Sequence, residues 1–325
     1  MATFASLPSE LSAQISEEGR AAGLDVLIAH LLEGCREIGT TLRDGGYSNE
    51  KVGTTNAFGD AQLDVDVKTD EVLFKVLKAS GLVYVAASEE NPVEIPCNGA
   101  GYSVAFDPLD GSSIVDANFA VGTIVGIWPG NGLLNRNGRE QVASMVVQYG
   151  PRVTAALALN TSSTVSGTMI SMELTMRPNA WIVSIPKFSI APKAKTFAPG
   201  NLRATSDSPN YMRLVQYWIE QKYTLRYSGG LVPDVYHILI KGEGVLSNAS
   251  SPAARAKLRL LFEAGPIALI IEAAGGASCV CASEAAEALA PISLLDVNIS
   301  DLDKRVGVCY GSTQEVERFK LHIFE

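Results

Sequence analysis

The sequence predicts a mixed α/β (α+β) fold that is divided into two halves. Apolar residues recur at helical spacing in several segments, and short apolar runs typical of buried strands lie between those segments. A segment with three prolines, residues 186–200, separates the two groups of elements. With 325 residues, the chain is long enough for one large or two medium domains. We therefore expect an N-terminal domain over residues 1–195 and a C-terminal domain over residues 196–325.

The N-terminal half is predicted to contain two helices followed by five strands. Apolar residues between Leu24 and Leu42 fall on one helical face, and Asp44-Gly-Gly46 ends that helix. A second helix is expected over residues 69–79 for the same reason. Apolar runs then indicate strands at residues 82–87, 102–106, 122–128, 142–147 and 153–159.

The C-terminal half is predicted to mix helices and strands. It follows a Ser/Thr-rich turn at residues 161–168 and the proline-containing connector. Helices are expected over residues 211–222 and 267–274, and Gly275-Gly276 would cap the second of them. Strands are expected over residues 235–240 and 257–262.

Composition and charge exclude several classes of protein. The net charge of −9 argues against general nucleic-acid binding, which requires a basic surface. No apolar run approaches the roughly 20 residues that a membrane-spanning helix needs, and the N-terminus does not resemble a secretory signal. The five cysteines, an odd number, suit a reducing compartment better than a disulfide framework. We therefore expect a soluble intracellular protein that binds neither nucleic acid nor membrane.

The charges are distributed unevenly along the chain. Residues 60–116 contain eleven Asp and Glu against three Lys and Arg, whereas residues 193–259 contain ten Lys and Arg against four Asp and Glu. The pattern is typical of two differently charged surfaces. It also fits a metal-binding half that faces an anion-binding half.

Two acidic segments follow directly on predicted strands. Glu89 and Glu90 come after one strand, and Asp107 and Asp110 come after the next. Ligand sites in open α/β sheets gather beyond the carboxyl ends of the strands, so these side chains could converge. Because converging carboxylates repel each other unless a cation neutralises them, an all-oxygen cluster favours a hard ion such as magnesium or manganese.

The residues between and after the two aspartates add further ligands. Pro108 keeps the spacing tight, so that both Asp side chains and the Leu109 carbonyl can face one ion. Gly111-Ser112-Ser113 then offers consecutive backbone N–H groups and two hydroxyls, which suit a phosphate. A lone Glu pair or a lone D-x-x-D-G segment is usually a solvated turn. The complete run after an apolar strand instead indicates metal-assisted phosphoryl transfer.

These residues resemble the fructose-1,6-bisphosphatase superfamily, which includes the inositol monophosphatases. The resemblance rests first on Ser88-Glu-Glu90 and on Phe106-Asp-Pro-Leu-Asp-Gly-Ser-Ser113. Four later segments are more similar to the sedoheptulose-1,7-bisphosphatases of that superfamily: residues 112–119, 198–204, 223–234 and 257–263. The resemblance implies a layered fold of alternating helices and mixed β-sheets in two halves.

The resemblance implies a site that holds two or three magnesium ions, with manganese as an alternative. Its ligands would lie in the N-terminal domain, apart from one distant glutamate: Glu89, Glu90, Asp107, Leu109 (through its carbonyl), Asp110 and Glu263. Asp60 and Asp66 match a pair in a mobile loop that, together with Glu90, orients or deprotonates the attacking water. The sequence pattern alone makes Asp60 and Asp66 solvated, and Asp64 is an extra carboxylate that disturbs the match.

The resemblance also implies the residues that bind substrate. Those of the phosphate-binding run are Asp110, Gly111, Ser112 and Ser113, and those of the C-terminal domain are Asn201, Arg203, Arg226, Tyr227, Gly229, Gly230 and Lys257. Arg226 would reach across the interface of a homodimer to the distal phosphate, for which a guanidinium is well suited.

Three departures from the family pattern bear on regulation and specificity. Residues 44–59 contain no cysteine, so redox switching of the plant chloroplast type is not expected. Gly101-Tyr102 stands where fructose-bisphosphatases have a Lys-Tyr pair that binds inhibitory AMP, so AMP inhibition is not expected either. Ser247 replaces a phosphate-binding tyrosine, which would leave room for a longer sugar.

The function that this resemblance implies is hydrolysis of the 1-phosphate of sedoheptulose 1,7-bisphosphate to sedoheptulose 7-phosphate, with fructose 1,6-bisphosphate as a second substrate. A fructose-1,6-bisphosphatase is the nearest alternative, since the two sugars differ by one carbon. A catalytically inactive sugar-phosphate-binding protein is a remote alternative, because the metal ligands are all present. The Calvin cycle and a pentose-phosphate bypass both remain open, as do a cytoplasmic and a plastid location.

Overall fold

The computed structural model describes residues 7–45, 51–55, 61–161, 169–283 and 291–324. The helices in these ranges are α1 (Ser9–Ser12), α2 (Glu17–Ala21), α3 (Leu24–Arg43), α4 (Asp64–Ser80), α5 (Pro209–Glu220), α6 (Leu231–Lys241), α7 (Gly265–Ala273) and α8 (Thr313–Phe324). The first strands are β1 (Lys51–Thr55), β2 (Ala61–Leu63), β3 (Val83–Ser88), β4 (Ile95–Pro96), β5 (Tyr102–Asp110), β6 (Val121–Pro129), β7 (Ala143–Tyr149) and β8 (Val153–Asn160). The remaining strands are β9 (Met169–Arg177), β10 (Ala180–Ile185), β11 (Thr196–Gly200), β12 (Thr224–Leu225), β13 (Val245–Asn248), β14 (Ala277–Ser283) and β15 (Val306–Gly311).

The strands form a large and a small mixed sheet, with β1 and β2 as a separate pair. The large sheet has the order β10-β9-β8-β7-β6-β5-β3-β4, and within it β3 runs parallel to β5. The small sheet has the order β12-β11-β13-β15-β14. The expectation of a mixed α/β fold is confirmed.

Helices and sheets alternate in layers. On one face of the large sheet, α3 and α4 pack over apolar side chains from β3, β5 and β7. Between the two sheets lie α6 and α7, which share one core with both of them. On the outer face of the small sheet, α5 and α8 pack against each other. Strands such as β7 and β8 are buried on both faces, which explains why their sequences are almost continuously apolar.

Most of the predicted helices are confirmed, with small shifts at their ends. The helix predicted over residues 24–42 is α3, and the one over residues 69–79 is the longer α4, which ends at Gly81 with φ +68°. The helices predicted over residues 211–222 and 267–274 are α5 and α7. Gly275, which follows α7, has φ +87°, a left-handed conformation that favours glycine.

Two predicted strands are wrong. Residues 235–240 belong to α6, whose buried residues recur at intervals of three and four from Leu231 to Leu239. That period is not visible in a six-residue apolar window. Residues 260–264 form a π-helical turn that leads into α7, so the predicted strand at 257–262 is not present. The last five residues of the predicted connector, 196–200, form β11.

The described residues contain no helix that is both long and apolar enough to cross a membrane. The predicted turn at 161–168 falls, after Thr161, outside the described residues.

Candidate active site

The two acidic segments lie side by side at one edge of the large sheet. Because β3 and β5 are parallel neighbours with Ser88 opposite Phe106, both strands end at the same edge. The Glu89 amide donates a hydrogen bond to the Phe106 carbonyl at 3.1 Å. Glu89 therefore lies next to Asp107, as expected from the strand ends.

Glu263 joins these two side chains from the C-terminal half of the chain. It lies in the π-helical turn before α7, and this turn packs against β5 and β6. One carboxylate oxygen each from Glu89, Asp107 and Glu263 lie within 4.8 Å of one another. Asp107 and Glu263 are buried, and Glu89 is partly buried. We call Glu89, Asp107 and Glu263 the carboxylate cluster.

The electrostatics of the carboxylate cluster favour a cation. Burial raises the pKa of Asp107 and of Glu263 well above the usual range, and the charge of Glu89 raises both further. Burial also raises the pKa of Asp110 to about 7. Desolvation and mutual repulsion both disfavour the ionised carboxylates, and a bound divalent cation would offset both. The all-oxygen donor set fits a hard ion such as Mg²⁺.

Arg259 is a member of this site that the sequence analysis did not assign. It is 4% exposed, and its guanidinium is ion-paired with Glu89 and, at 2.7 Å, with Asp303. Its backbone amide donates to Glu263 Oε2 at 2.6 Å. Sequence reasoning treats an isolated arginine as a surface residue. Its position four residues before Glu263 was the only available signal.

Asp110 connects the site to α6. Its Oδ2 accepts a hydrogen bond from the Val232 amide at 2.6 Å, and its Oδ1 accepts one from the Leu231 amide at 3.3 Å. Free N–H groups at a helix N-terminus favour a negative charge, so Asp110 also stabilises the start of α6.

The segment from Asp107 to Gly111 leaves the regular sheet. The pairing of β5 with β6 shifts between Asp107 and Asp110, and Asp107 Oδ1 accepts a hydrogen bond from the Leu109 amide at 2.9 Å. Pro108 O accepts one from Thr123 at 2.8 Å. Gly111 has φ +85°, which turns the chain into a short 3-10 helix, Ser112–Ala117.

Asp64 and Asp66, two of the aspartates that the family pattern brought into question, have different surroundings. Asp66 is buried, its Oδ2 accepts a hydrogen bond from the Leu63 amide at 3.4 Å, and its other neighbours include Ser112 and the charge of Glu89. Burial raises its pKa to about 6. Asp64 instead forms an ion pair with Lys68 at 2.7 Å. Asp60 lies outside the described residues. Asp66 is thus the carboxylate that α4 places beside the site.

Glu90 follows Glu89 in the same turn and is partly buried, but neither Glu90 nor Asp110 belongs to the carboxylate cluster.

The Gly229-Gly230 turn is held beside the site by two carboxylates. Asp234 accepts hydrogen bonds from the amides of Ser228 at 2.7 Å and Gly229 at 3.3 Å. Gly229 has φ +97°. Since the amides of Leu231 and Val232, which follow the turn, donate hydrogen bonds to Asp110, the turn is directly linked to the carboxylates.

The other residues expected to bind substrate are not in contact with the carboxylate cluster. Arg203, Arg226, Tyr227 and Lys257 are exposed, and within the described ranges no hydrogen bond joins them to it. Tyr227 lies close enough to Arg203 and Asp234 for both charges to affect its pKa, which burial raises. Asn201 Nδ2 donates to the carbonyls of Ala249 at 2.7 Å and Ala254 at 2.8 Å, so this amide nitrogen holds a loop together.

Ser247, which stands where the family pattern has a tyrosine, lies in β13. Its side chain is fully buried, and its hydroxyl shares a hydrogen bond with Tyr211 Oη at 3.0 Å. Tyr211 in turn donates to the Gly200 carbonyl at 2.7 Å. The Ser247 side chain therefore faces Tyr211 of α5, and room for a longer sugar at this position stays a prediction.

Two regions of the chain match a known protein family. Residues 8–175 match the family described as Fructose-1-6-bisphosphatase, N-terminal domain, and residues 190–323 match the Fructose-1-6-bisphosphatase, C-terminal domain. The chain is 43% identical over 302 residues to the chloroplastic sedoheptulose-1,7-bisphosphatase of Chlamydomonas reinhardtii, with 92% of this chain and 74% of that protein covered. It is 36% identical over 308 residues to a class 1 fructose-1,6-bisphosphatase of Trichlorobacter lovleyi, with 94% and 91% covered.

A solved structure shares the whole fold. A crystal structure from Toxoplasma gondii, provisionally named sedoheptulose-1,7 bisphosphatase, superimposes with a TM-score of 0.86 at 40% sequence identity and covers 99% of both chains. The two family regions together span most of the sequence. The chain therefore belongs to the fructose-1,6-bisphosphatase family.

Proposed function

We propose that this protein is a magnesium-dependent sugar-bisphosphatase that hydrolyses the 1-phosphate of sedoheptulose 1,7-bisphosphate, and that it also accepts fructose 1,6-bisphosphate. The observation that carries the proposal is the buried carboxylate cluster, which lies at the ends of β3 and β5 next to the Gly111–Ser113 run. The relatives at 43% and 36% identity carry the names of these two activities.

The metal would be held by the three cluster residues together with Glu90, Asp110 and the Leu109 carbonyl. A bound divalent cation would neutralise the phosphate, lower the pKa of the attacking water and stabilise the leaving oxygen. The family pattern implies two or three ions, and Mn²⁺ has the same preference for oxygen ligands.

Asp66 is the residue proposed to take the proton from the attacking water, in concert with Asp60 and Glu90. A general base works best when its pKa is near the operating pH. Burial raises the pKa of Asp66 to about 6, so its carboxylate is ionised at neutral pH but is more basic than an exposed one. Its proximity to Ser112 places it beside the proposed phosphate-binding run.

The sugar and its phosphates would be bound by residues from both halves of the chain. The backbone N–H groups and hydroxyls of Gly111, Ser112 and Ser113 suit the 1-phosphate. In the Gly229-Gly230 turn, Gly229 is exposed and has open space where a side chain would lie, which allows the sugar a close approach, and exposed Arg203, Tyr227 and Lys257 would supply polar groups. Asn201 would contribute by holding the loop of Ala249 and Ala254 in place, since its amide nitrogen binds both carbonyls and its side-chain oxygen is buried.

We further propose a homodimer in which Arg226 completes the site of the neighbouring subunit. Arg226 follows β12, an edge strand of the small sheet, and its guanidinium donates a hydrogen bond to the carbonyl of the adjacent Leu225 at 2.8 Å. Leu225 is 55% exposed and Tyr227 is 51% exposed. An exposed edge strand with apolar and aromatic residues around an arginine has the composition of a protein interface.

The proposal also includes two domains and an intracellular location. Residues 1–195 would form the metal-binding domain and residues 196–325 the substrate-binding domain, which agrees with the division between the two sheets. All five cysteines are free, which fits a reducing intracellular compartment. The chloroplastic relatives keep a plastid as the alternative to the cytoplasm.

The function is tested by measuring phosphate release from sedoheptulose 1,7-bisphosphate and fructose 1,6-bisphosphate, each with Mg²⁺ and with a chelator. We expect release that requires the metal and a higher kcat/KM for the seven-carbon sugar. A preference for the six-carbon sugar would make the protein a fructose-1,6-bisphosphatase. The absence of release from either substrate by folded, metal-loaded protein would favour a sugar-phosphate-binding protein.

A further inference from the structure

Glu89 and Glu90 occupy the two central positions of a tight turn, residues 88–91. The Ser88 amide donates a hydrogen bond to the Asn91 carbonyl at 3.1 Å, and the Asn91 amide donates one to Ser88 Oγ at 2.9 Å. The turn is therefore closed at its two ends, and its orientation decides where both glutamates lie. We call this segment the 88–91 turn.

A buried carboxylate on α4 accepts a hydrogen bond from one end of the 88–91 turn and lies near the other end. Asp70 is 4% exposed, and its Oδ2 accepts a hydrogen bond from Asn91 Nδ2 at 2.6 Å. The Ser88 side chain is the other group that favours the ionised form of Asp70. Burial nevertheless raises the pKa of Asp70 to about 6, so keeping its charge in this place has a cost at neutral pH.

The helix that carries Asp70 is firmly packed on the sheet that carries the turn. Residues four positions apart lie on the same face of a helix, so Asp70 shares the face of Asp66. On that helix Phe74 makes an edge-to-face contact with Phe106 of β5, with ring centroids 5.2 Å apart. Asp70 thus connects a fixed helix to the 88–91 turn.

We propose that Asp70 is a positioning residue: by holding the 88–91 turn against α4, it keeps Glu89 beside Asp107 and Glu263 and so determines how tightly the carboxylate cluster binds a divalent cation. The inference rests on the proposed metal-dependent function. Residues that orient metal ligands without touching the metal typically change metal affinity by about 10- to 100-fold when they are altered.

The Asp70–Asn91 pair allows a reciprocal exchange. In Asn91→Asp, two carboxylates meet at hydrogen-bond distance and repel each other, so the turn should be displaced from α4. In Asp70→Asn/Asn91→Asp, the donor and the acceptor exchange places and the hydrogen bond can form again. Asp70→Ala removes the acceptor and leaves the Asn91 amide unpaired.

A matched control for lost stability is Glu315→Gln. Glu315 is 2% exposed on α8 and accepts hydrogen bonds from Trp218 Nε1 at 2.9 Å and Tyr223 Oη at 2.8 Å, far from the metal site in the outer layer. Its loss should lower the melting temperature without changing metal binding.

The experiment measures Mn²⁺ binding to the purified full chain from the free-ion signal in electron paramagnetic resonance, with the melting temperature in chelator as the measure of stability. We expect Asp70→Ala to bind Mn²⁺ about 10- to 100-fold more weakly and Asn91→Asp to bind at least as weakly. The exchanged double variant should recover to within a few-fold of the wild type, and Glu315→Gln should bind as the wild type does.

Two outcomes would overturn the positioning role. One is wild-type Mn²⁺ affinity in Asp70→Ala together with a lower melting temperature. The other is a folded Asp70→Asn/Asn91→Asp variant that binds Mn²⁺ no better than Asn91→Asp does. Because this second outcome does not depend on Asp70→Ala, the test remains decisive if Asp70→Ala does not fold. Phosphate release by the wild-type protein separates the two proposals: a protein that binds Mn²⁺ with the expected variant pattern but hydrolyses neither bisphosphate would overturn the function and retain the role of Asp70.

Discussion

Two aspartates at the start of α4 have different surroundings because they lie on different faces of the helix. Asp64 and Asp66 are two positions apart and therefore lie on nearly opposite faces. Asp64 pairs with Lys68 towards solvent, while Asp66 is buried beside Ser112 and the charge of Glu89. Only the second environment suits a residue that accepts a proton.

Substituting these two aspartates separately tests that division. Asp66→Asn should lower kcat for phosphate release about 100-fold or more, because an amide cannot take up the proton of the attacking water. It should still accept the Leu63 hydrogen bond and leave the fold intact. Asp64→Asn, the matched control, should stay within about twofold of the wild type, since an exposed helical ion pair contributes little. Turnover near the wild-type rate in a folded Asp66→Asn variant would contradict the assignment.

Among the elements, α6 is the helix for which the local sequence pattern predicted a strand. Its apolar residues continue for most of the helix, so a short window resembles a buried strand. The helix begins where Asp110, from the other half of the chain, accepts the hydrogen bonds of Leu231 and Val232. A partner so distant in sequence cannot be found by reading the segment itself.

The proposed role of the segment after β12 leads to a prediction about KM. Arg226→Ala should raise KM for the bisphosphate about tenfold or more with a smaller effect on kcat, since one charge-assisted contact to the distal phosphate is lost. Arg213→Ala is the matched control, because Arg213 is also exposed and forms a hydrogen bond with Asn210 of its own helix. A change in kcat alone would contradict a role in binding the distal phosphate.

Mixed dimers determine whether Arg226 acts in its own subunit or in its neighbour. If it crosses the interface, a dimer of one Asp66→Asn and one Arg226→Ala subunit contains one site with both native residues. Mixing the two inactive or impaired variants under conditions of subunit exchange should then restore activity at low substrate concentration. If Arg226 serves its own subunit, no mixed dimer has a native site and no activity should return.

At the scale of the whole molecule, the buried carboxylates couple stability to pH and metal. Burial raises the pKa of Asp66 to about 6 and that of Asp110 to about 7, whereas an ordinary aspartate has a pKa of 3.8. Between pH 3.8 and these raised values, the folded state binds more protons than the unfolded chain. The free energy of unfolding therefore decreases as the pH rises through this range. Raised pKa values of Asp107 and Glu263 act in the same direction.

Metal-free protein should therefore melt at a higher temperature at pH 5 than at pH 8. Excess Mg²⁺ should raise the melting temperature more at pH 8, where protons no longer compete for the carboxylates. The measurement is thermal unfolding across this range in chelator and in Mg²⁺. Asp107→Asn/Glu263→Gln should show a smaller pH dependence in chelator. A metal-free melting temperature that rises from pH 5 to pH 8 would refute the proposed linkage.

The sequence by itself determined the features that depend on local order. Predicted strands that are followed by Glu89 and Asp107 indicate a shared edge, because parallel neighbours end together, and the helical period predicts α3, α4, α5 and α7. The family resemblance supplied Glu263 and Asp66, for which the local pattern alone favoured surface positions.

Only the tertiary structure decided which distant groups meet. Arg259 pairs with Glu89, Asp70 holds the 88–91 turn, Asp110 caps α6, and Ser247 turns away towards Tyr211. Each of these depends on packing between elements far apart in sequence, where burial and unpaired N–H groups determine the partner. No periodicity within a single segment contains that information.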